Sequence, residues 1–272
     1  MSAVADTAYI VFDSESVVDG ALLSKVAYPG ENLAPEEAVA RYEADWRRDN
    51  PGRRLFVPVS FHVPVAIGIA RVAPDFRLID LVSLDAPRYD PQVMVAKFWR
   101  GLEAYSSAVL VDFNGRGFDI PLLTLSAFRF GVSCPRYFAD PDRFGFRYRF
   151  TSKHLDLMDW LSEYGAWNLA GGLNLLAKLL GKPGKMSTTG DQVADLYLRG
   201  ELQRIADYCL HDVLDTYFVF LRTRVLAGEI ALEEEQRVVA EMRDWVEARA
   251  AAQPGLKPYL DAFGRWDPTP FR

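Results

Sequence analysis

The chain has 272 residues, 50% of them hydrophobic, a formal net charge of -6 and two cysteines. That length and apolar content suffice for one large domain with a real core, while two thiols, Cys134 and Cys209, are too few for a disulfide framework or a four-thiolate zinc site. No stretch reaches the roughly 18 uninterrupted apolar residues of a membrane span, and the start MSAVADTAYIVF has no signal core, so a soluble cytoplasmic protein with no membrane partner is expected. The acidic balance argues against broad electrostatic adhesion to nucleic acid and leaves room only for local contacts.

In chain order, AYIVFD reads as a first strand that ends on acids, and residues 17–58 read as an insertion. Within it PEEAVARYEADWRRDN predicts a helix opened by Pro35 and closed by Asn50-Pro51-Gly52. VPVAIGIARV and FRLIDLVSL predict two strands joined by a short polar turn at Pro74 and Asp75. A helix near PQVMVAKFWRGLEAY, a buried strand AVLVDF and a helix near PLLTLSAFRFG follow, and from residue 155 the pattern is mainly helical. Antiparallel strands, then alternation of strand and helix, then helices, describe an α/β layer with a mixed sheet.

The chemistry lies in three short segments. Asp13 and Glu15 in YIVFDSES are two apart, so on a strand they share a face. Tyr208 and Asp212 in YCLHD are one helical turn apart and also share a face. Asp212 sits among Ile205, Cys209, Val213, Tyr217 and Phe220, where an ionised carboxylate is costly unless paired or bound to a metal. Asp119, just before Ile120-Pro121, reads when taken alone as a helix N-cap, and Asp13 with Glu15 reads equally as an acidic strand end in solvent. Two lookalikes fail. GRGFDI has Ile120 where a dinucleotide fingerprint needs its third glycine, and GKPGKMSTTG has Met186 where a phosphate-binding loop needs Ser or Thr.

FDSES, NGRGFDIP and YCLHD resemble, in this order, the three motifs of the DEDD superfamily of 3′-to-5′ exonucleases in its tyrosine-containing branch. The middle motif, with Asn114 five residues before Asp119 and Phe118-Asp119 before Pro121, is particularly similar to the proofreading domain of family B DNA polymerases. KHLDLMDWL, GGLNLLAKLLGKPGK and GELQRIADYCLHDVLDTYFVFLR extend the likeness to stand-alone predicted exonucleases related to that domain, over roughly residues 8–227. The resemblance implies a ribonuclease H-like fold, a mixed β-sheet flanked by helices. It places an exonuclease domain at 1–228, with the insertion at about 17–58, and a C-terminal helical extension and tail at 229–272, leaving any proofreading to be supplied in trans.

The same resemblance implies roles. Asp13, Glu15, Asp119 and Asp212 would hold two divalent cations, Mg2+ or Mn2+, and Tyr208 would orient the attacking water. In the histidine branch the base lies five residues before the last aspartate, and here that position is Asp207. His211 points about 100° away from Asp212 around a helix and reads as flanking, His154 reads as a structural or polar link, and His62 carries no signal. Asn114 and Phe118 are expected beside a frayed 3′ end. RFGFRYRFTSK predicts a strand with Phe144, Phe146, Tyr148 and Phe150 on one face and Arg147 and Arg149 on the other, read either as a core-facing amphipathic strand or as a surface that stacks bases and binds phosphate. The expected function is cleavage of single-stranded nucleic acid from 3′ ends, DNA favoured. An exoribonuclease or oligonucleotidase, and a catalytically silent nucleic-acid-binding or scaffold relative, are the alternatives; the sequence names no protein partner.

Overall fold

YIVFDSESVV is apolar on both faces over its first half and becomes the central strand, β1 (Tyr9–Val18), of a five-stranded sheet. In this computed structural model, which describes residues 7–53, 55–138, 145–186 and 190–268, β2 (His62–Val72) and β3 (Leu78–Ser83) form the expected antiparallel hairpin. β2 lies antiparallel to β1, whereas β4 (Val109–Asp112) and β5 (His154–Asp156) run parallel to it, giving the order β3-β2-β1-β4-β5. This is the mixed sheet that the sequence pattern predicts. The three-residue β5 was not predicted: His154–Asp156 passes straight into a helix and is too short to show a period.

The helices begin where side chains can satisfy their open N–H groups. Asp19 caps α1 (Gly20–Ala27), a helix that no apolar period in the sequence announces, by accepting from the Leu22 amide at 3.0 Å. α2 (Pro35–Asp49) starts at Pro35 as expected, and Glu37 accepts from the Ala34 amide at 3.1 Å. Asp90 caps α3 (Pro91–Ala104), which buries Met94, Val95, Phe98, Trp99 and Leu102. α4 (Asp119–Phe130) stops at Gly131, whose φ of 67° suits glycine. Four shorter helices follow, α5 (Pro135–Phe138), α6 (Leu157–Leu161), α7 (Gly172–Leu179) and α8 (Val193–Leu198). The 25-residue α9 (Leu202–Leu226) is buried through most of its length, and α10 (Leu232–Arg249) and α11 (Lys257–Asp261) pack with it. None of the helices described is long and apolar enough to cross a membrane.

Alternation along β1 sends Ile10 and Phe12 into one apolar layer with Phe98 and Trp99, and Val11 into another with Tyr217, Phe218 and Phe220 of α9. The helix reaches the sheet through a glycine. Gly68 of β2 is opposite Asp13, and a Cβ there would sit 2.9 Å from Val213 and 3.2 Å from both Cys209 and Leu210. Gly68→Val is therefore expected to destabilise the fold by about 1–3 kcal/mol through overpacking. Urea denaturation measures it, and Val213→Ala in the same chain should return part of the loss; additive losses would mean that the two residues do not collide.

Of the strand predicted across 144–150, Phe144 lies outside the described residues, and Gly145–Phe150 is a succession of turns and bends that pairs with no strand among the described residues. Of the described aromatics here, Phe146 reaches the core, at 1% exposure; Tyr148 and Phe150 meet edge-on in an exposed cluster with Tyr164. Period-two aromatics here reflect one anchoring ring and two surface rings.

Candidate active site

Beyond Phe12, β1 carries Asp13 and Glu15 on the face that α9 crosses, and a register shift between Glu15 and Ser16 ends the regular pairing just past them. Tyr208 and Asp212 project from the first half of α9 toward the same place. Oxygen atoms of Asp13, Glu15 and Asp212 lie within 4.8 Å of one another, although the residues are far apart in sequence. The Tyr208 hydroxyl donates to Asp212. The Cys209 thiol donates to the Asp13 carbonyl at 3.3 Å, which ties the helix to the strand at the acids.

The electrostatic cost of this gathering appears in the titration. Burial, and then the charges of Asp119, Glu15 and Asp212, push the Asp13 carboxyl well above its ordinary range. Burial together with Asp212 and Asp119 does the same to Glu15. Asp212 is pushed up to about 6 by burial, against the Tyr208 hydrogen bond and the charge of Lys185. The Tyr208 phenol is raised by burial and by Asp212, so it stays protonated at neutral pH and donates.

Asp119 enters from the other face of β1. It is the first residue of α4 and not its N-cap, which is Phe118 with no side-chain capping bond. The reading of Asp119 as a cap is thus corrected: its carboxylate instead accepts from the hydroxyl of Ser14, the residue between Asp13 and Glu15. Burial raises it to about 7 despite that bond, and the nearby Asp112 charge adds to the rise. Asp119 stands beside the three-carboxylate group without belonging to it.

The turn that delivers Asp119 is held from beneath by two buried carboxylates. Asp156 accepts from the amides of Asn114 and Arg116 at 2.9 and 3.1 Å, and Asp112 accepts from Gly115 at 3.1 Å. His154, buried at 2% exposure, meets Asp112 at 2.6 Å and so proves to be the polar link expected of it. Gly115 has no room for a side chain, since a Cβ would fall 2.2 Å from Asp112, and Asn114 takes a φ of 65° that asparagine tolerates. Asn114 and Phe118 are both half-buried on this turn, with Phe118 edge-on to His62 at 5.8 Å between ring centroids.

The two arginines proposed as substrate contacts are engaged elsewhere. Arg149 pairs with Asp159 at 2.7 Å and donates to the Tyr164 carbonyl, while Arg147 lies over the Phe138 ring. His211 binds the Gly255 carbonyl at 2.7 Å, which agrees with a flanking role. Sequence reasoning passed over Ser14 and Lys185. Alternation alone assigns Ser14 to the face opposite Asp13, but nothing local shows that Asp119 waits there. Lys185 belongs to the GKPGK segment dismissed as a phosphate loop; it is exposed, and its charge favours ionisation of both Glu15 and Asp212. Its neighbours Gly184 and Met186, with Tyr208 and Asp212, line a cavity of about 180 Å³.

The donor set fits a hard divalent cation: three converging carboxylates whose raised proton affinity records a shortage of positive charge. Asp13, Glu15 and Asp212 are the residues that would hold it. No individually curated protein matches the chain. One family matches residues 54–263, through the middle and last motifs and on into α11 and the residues just past it, though not the first strand, which the structure places at the centre of the sheet. With an α/β, ribonuclease H-like architecture and this match over most of its length, the chain belongs to the family described as predicted 3′-5′ exonucleases related to the exonuclease domain of PolB.

Proposed function

We propose that this protein is a metal-dependent 3′-to-5′ exonuclease that hydrolyses single-stranded nucleic acid, DNA in preference to RNA, to nucleoside 5′-monophosphates by a two-metal mechanism. The observation that carries the reading is the convergence of Asp13, Glu15 and Asp212 within 4.8 Å beside the Tyr208 hydroxyl. In this reading Asp13, Glu15, Asp119 and Asp212 would hold the two cations; Mg2+ and Mn2+ suit an all-oxygen set. When bound, the cations offset the carboxylate repulsion, lower the pKa of water and stabilise the attacking and leaving oxygens of an in-line displacement.

The chain's own groups do the rest. Tyr208, kept protonated, orients the attacking water through its hydroxyl and leaves proton acceptance to the carboxylates. Lys185 offers positive charge to the substrate phosphate at the rim. Asn114 and Phe118 flank the terminal nucleotide, held in place by the turn over Asp112 and Asp156. Water adds to phosphorus, the bond to the 3′ oxygen of the preceding nucleotide breaks, and that oxygen takes up a proton. Relation to the exonuclease domain of PolB supports DNA as the substrate.

The test is to incubate the purified protein with 5′-labelled single-stranded DNA and RNA in Mg2+, Mn2+ or EDTA. A ladder shortening from the 3′ end, abolished by EDTA and faster on DNA, is the expected outcome. A ladder on RNA alone would reassign the substrate, and binding without a ladder on either strand would leave a scaffold.

A further inference from the structure

Past α10 the chain turns back and lies along α9 beside the site. The His211 ring bonds the Gly255 carbonyl, and Gly255 fits so closely that a Cβ would stand 2.0 Å from the Asp207 carboxyl carbon. Four residues on, Tyr259 is fully buried and its hydroxyl donates at 2.7 Å to Asp215, itself 1% exposed. Asp215 lies three residues beyond Asp212, nearly one turn along α9, and the nearby Gly184 amide of the 181–186 loop favours its ionised form. One buried carboxylate thus joins three segments: α9, the 181–186 loop and the returning chain.

The loop is pinned to the same segment again further along. The Gly264 amide donates to the Gly181 carbonyl at 2.9 Å, and the Lys182 ammonium lies 4.0 Å from the centroid of the Phe263 ring. Gly181, at a φ of 66°, leaves no space for a Cβ against the Arg265 carbonyl, 2.5 Å away. From its other side the loop is held by Asn174, which accepts from the Lys185 amide at 2.8 Å. The cavity beside Tyr208 and Asp212 has the loop residues Gly184 and Met186 in one wall and Gly255 and Pro258 in another.

We propose that residues 254–266 are a strap that shapes the substrate cleft, with Tyr259 and Asp215 as positioning residues that hold the 181–186 loop, and so Lys185, against α9. This rests on the exonuclease reading above. Without the Tyr259 hydroxyl, Asp215 keeps a buried carboxylate oxygen with no donor, and such a group draws in water or a new partner at the expense of its approach to the Gly184 amide. The carboxylates on β1 and α9 have their own supports, so the loss falls on the cleft wall and on Lys185. Substrate binding is affected ahead of the chemical step.

The experiment compares Tyr259→Phe and Asp215→Asn with Val238→Ala, a core change on α10 outside the cavity wall. Amide exchange of the 181–186 peptide is followed by mass spectrometry, and kcat and KM are measured with 5′-labelled single-stranded DNA in Mn2+ well below the melting temperature. Tyr259→Phe and Asp215→Asn are each expected to raise exchange in 181–186 and to raise KM about tenfold with kcat lowered less than threefold, a displacement effect at the rim. Val238→Ala should move neither. Unchanged KM in both variants, or an equal rise in Val238→Ala, would overturn the proposal. Exchange needs no activity: an inactive wild type sinks the nuclease reading, whereas unaltered protection of 181–186 sinks the strap.

Discussion

Asp13→Ala is expected to slow 3′-end shortening by at least about a thousandfold while raising the melting temperature of the metal-free protein. The two effects have one cause. Asp13 feels the charges of Asp119, Glu15 and Asp212 from the central strand, so it is the group through which all the proposed ligands meet. Two carboxylates about 4 Å apart repel by roughly 4 kcal/mol at an effective dielectric of 20, and removing one relieves that repulsion. Activity that rests on a strained cluster and stability that suffers from it should move in opposite directions. The measurement is an initial rate on 5′-labelled single-stranded DNA in Mn2+ beside thermal unfolding in EDTA. If activity and melting temperature fall together, Asp13 is a structural residue and the catalytic assignment is wrong.

The metal-free protein should also lose stability as pH rises from about 4 toward 7, and a divalent cation should restore it. Asp212 titrates near 6 in the folded chain and Asp119 near 7, against about 4 when unfolded. Between those values the folded state holds protons that the unfolded state has released, so stability decreases as pH climbs through the window. For Asp212 the difference amounts to roughly 3 kcal/mol at neutral pH, or several degrees of melting temperature for a chain of this size. Mn2+ at pH 7.5, taken as about that value, binds the ionised cluster and reverses the loss. Scans in EDTA and in Mn2+ should show Asp212→Asn with a flatter pH slope and a smaller cation effect than the wild type. Identical slopes in the two proteins would mean that Asp212 is not charged at a cost in the folded state.

Much of the architecture follows from short-range pattern. Asp13 with Glu15 is legible because a strand has period two, and Tyr208 with Asp212 because a helix brings residues four apart onto one face. The hairpin of β2 and β3, and helices α2, α3 and α4, follow from apolar runs bounded by proline, asparagine or glycine. What was not legible depends on distant partners. The bond from Ser14 to Asp119 spans 105 residues and depends on which face of β1 meets α4. β5 is defined by its pairing to β4, not by any period of its own. The aromatic alternation misled because a strand needs a neighbour, and among the described residues Gly145–Phe150 pairs with none. Arg147 and Arg149 looked available because composition does not reveal that Phe138 and Asp159 occupy them.

The central place of β1 bears on how the protein is made. Its acids are made well before the rest of the site: the thiol that ties Asp13 to α9 comes 196 residues later, and residues 254–266, proposed above to shape the cleft, follow α9. A ribosome-bound chain that stops short of Asp212 holds no complete set of carboxylates, whatever else it has folded. Under the proposed nuclease function, cleavage arises only after α9 has been made, and products stalled before it are harmless to the nucleic acids around them.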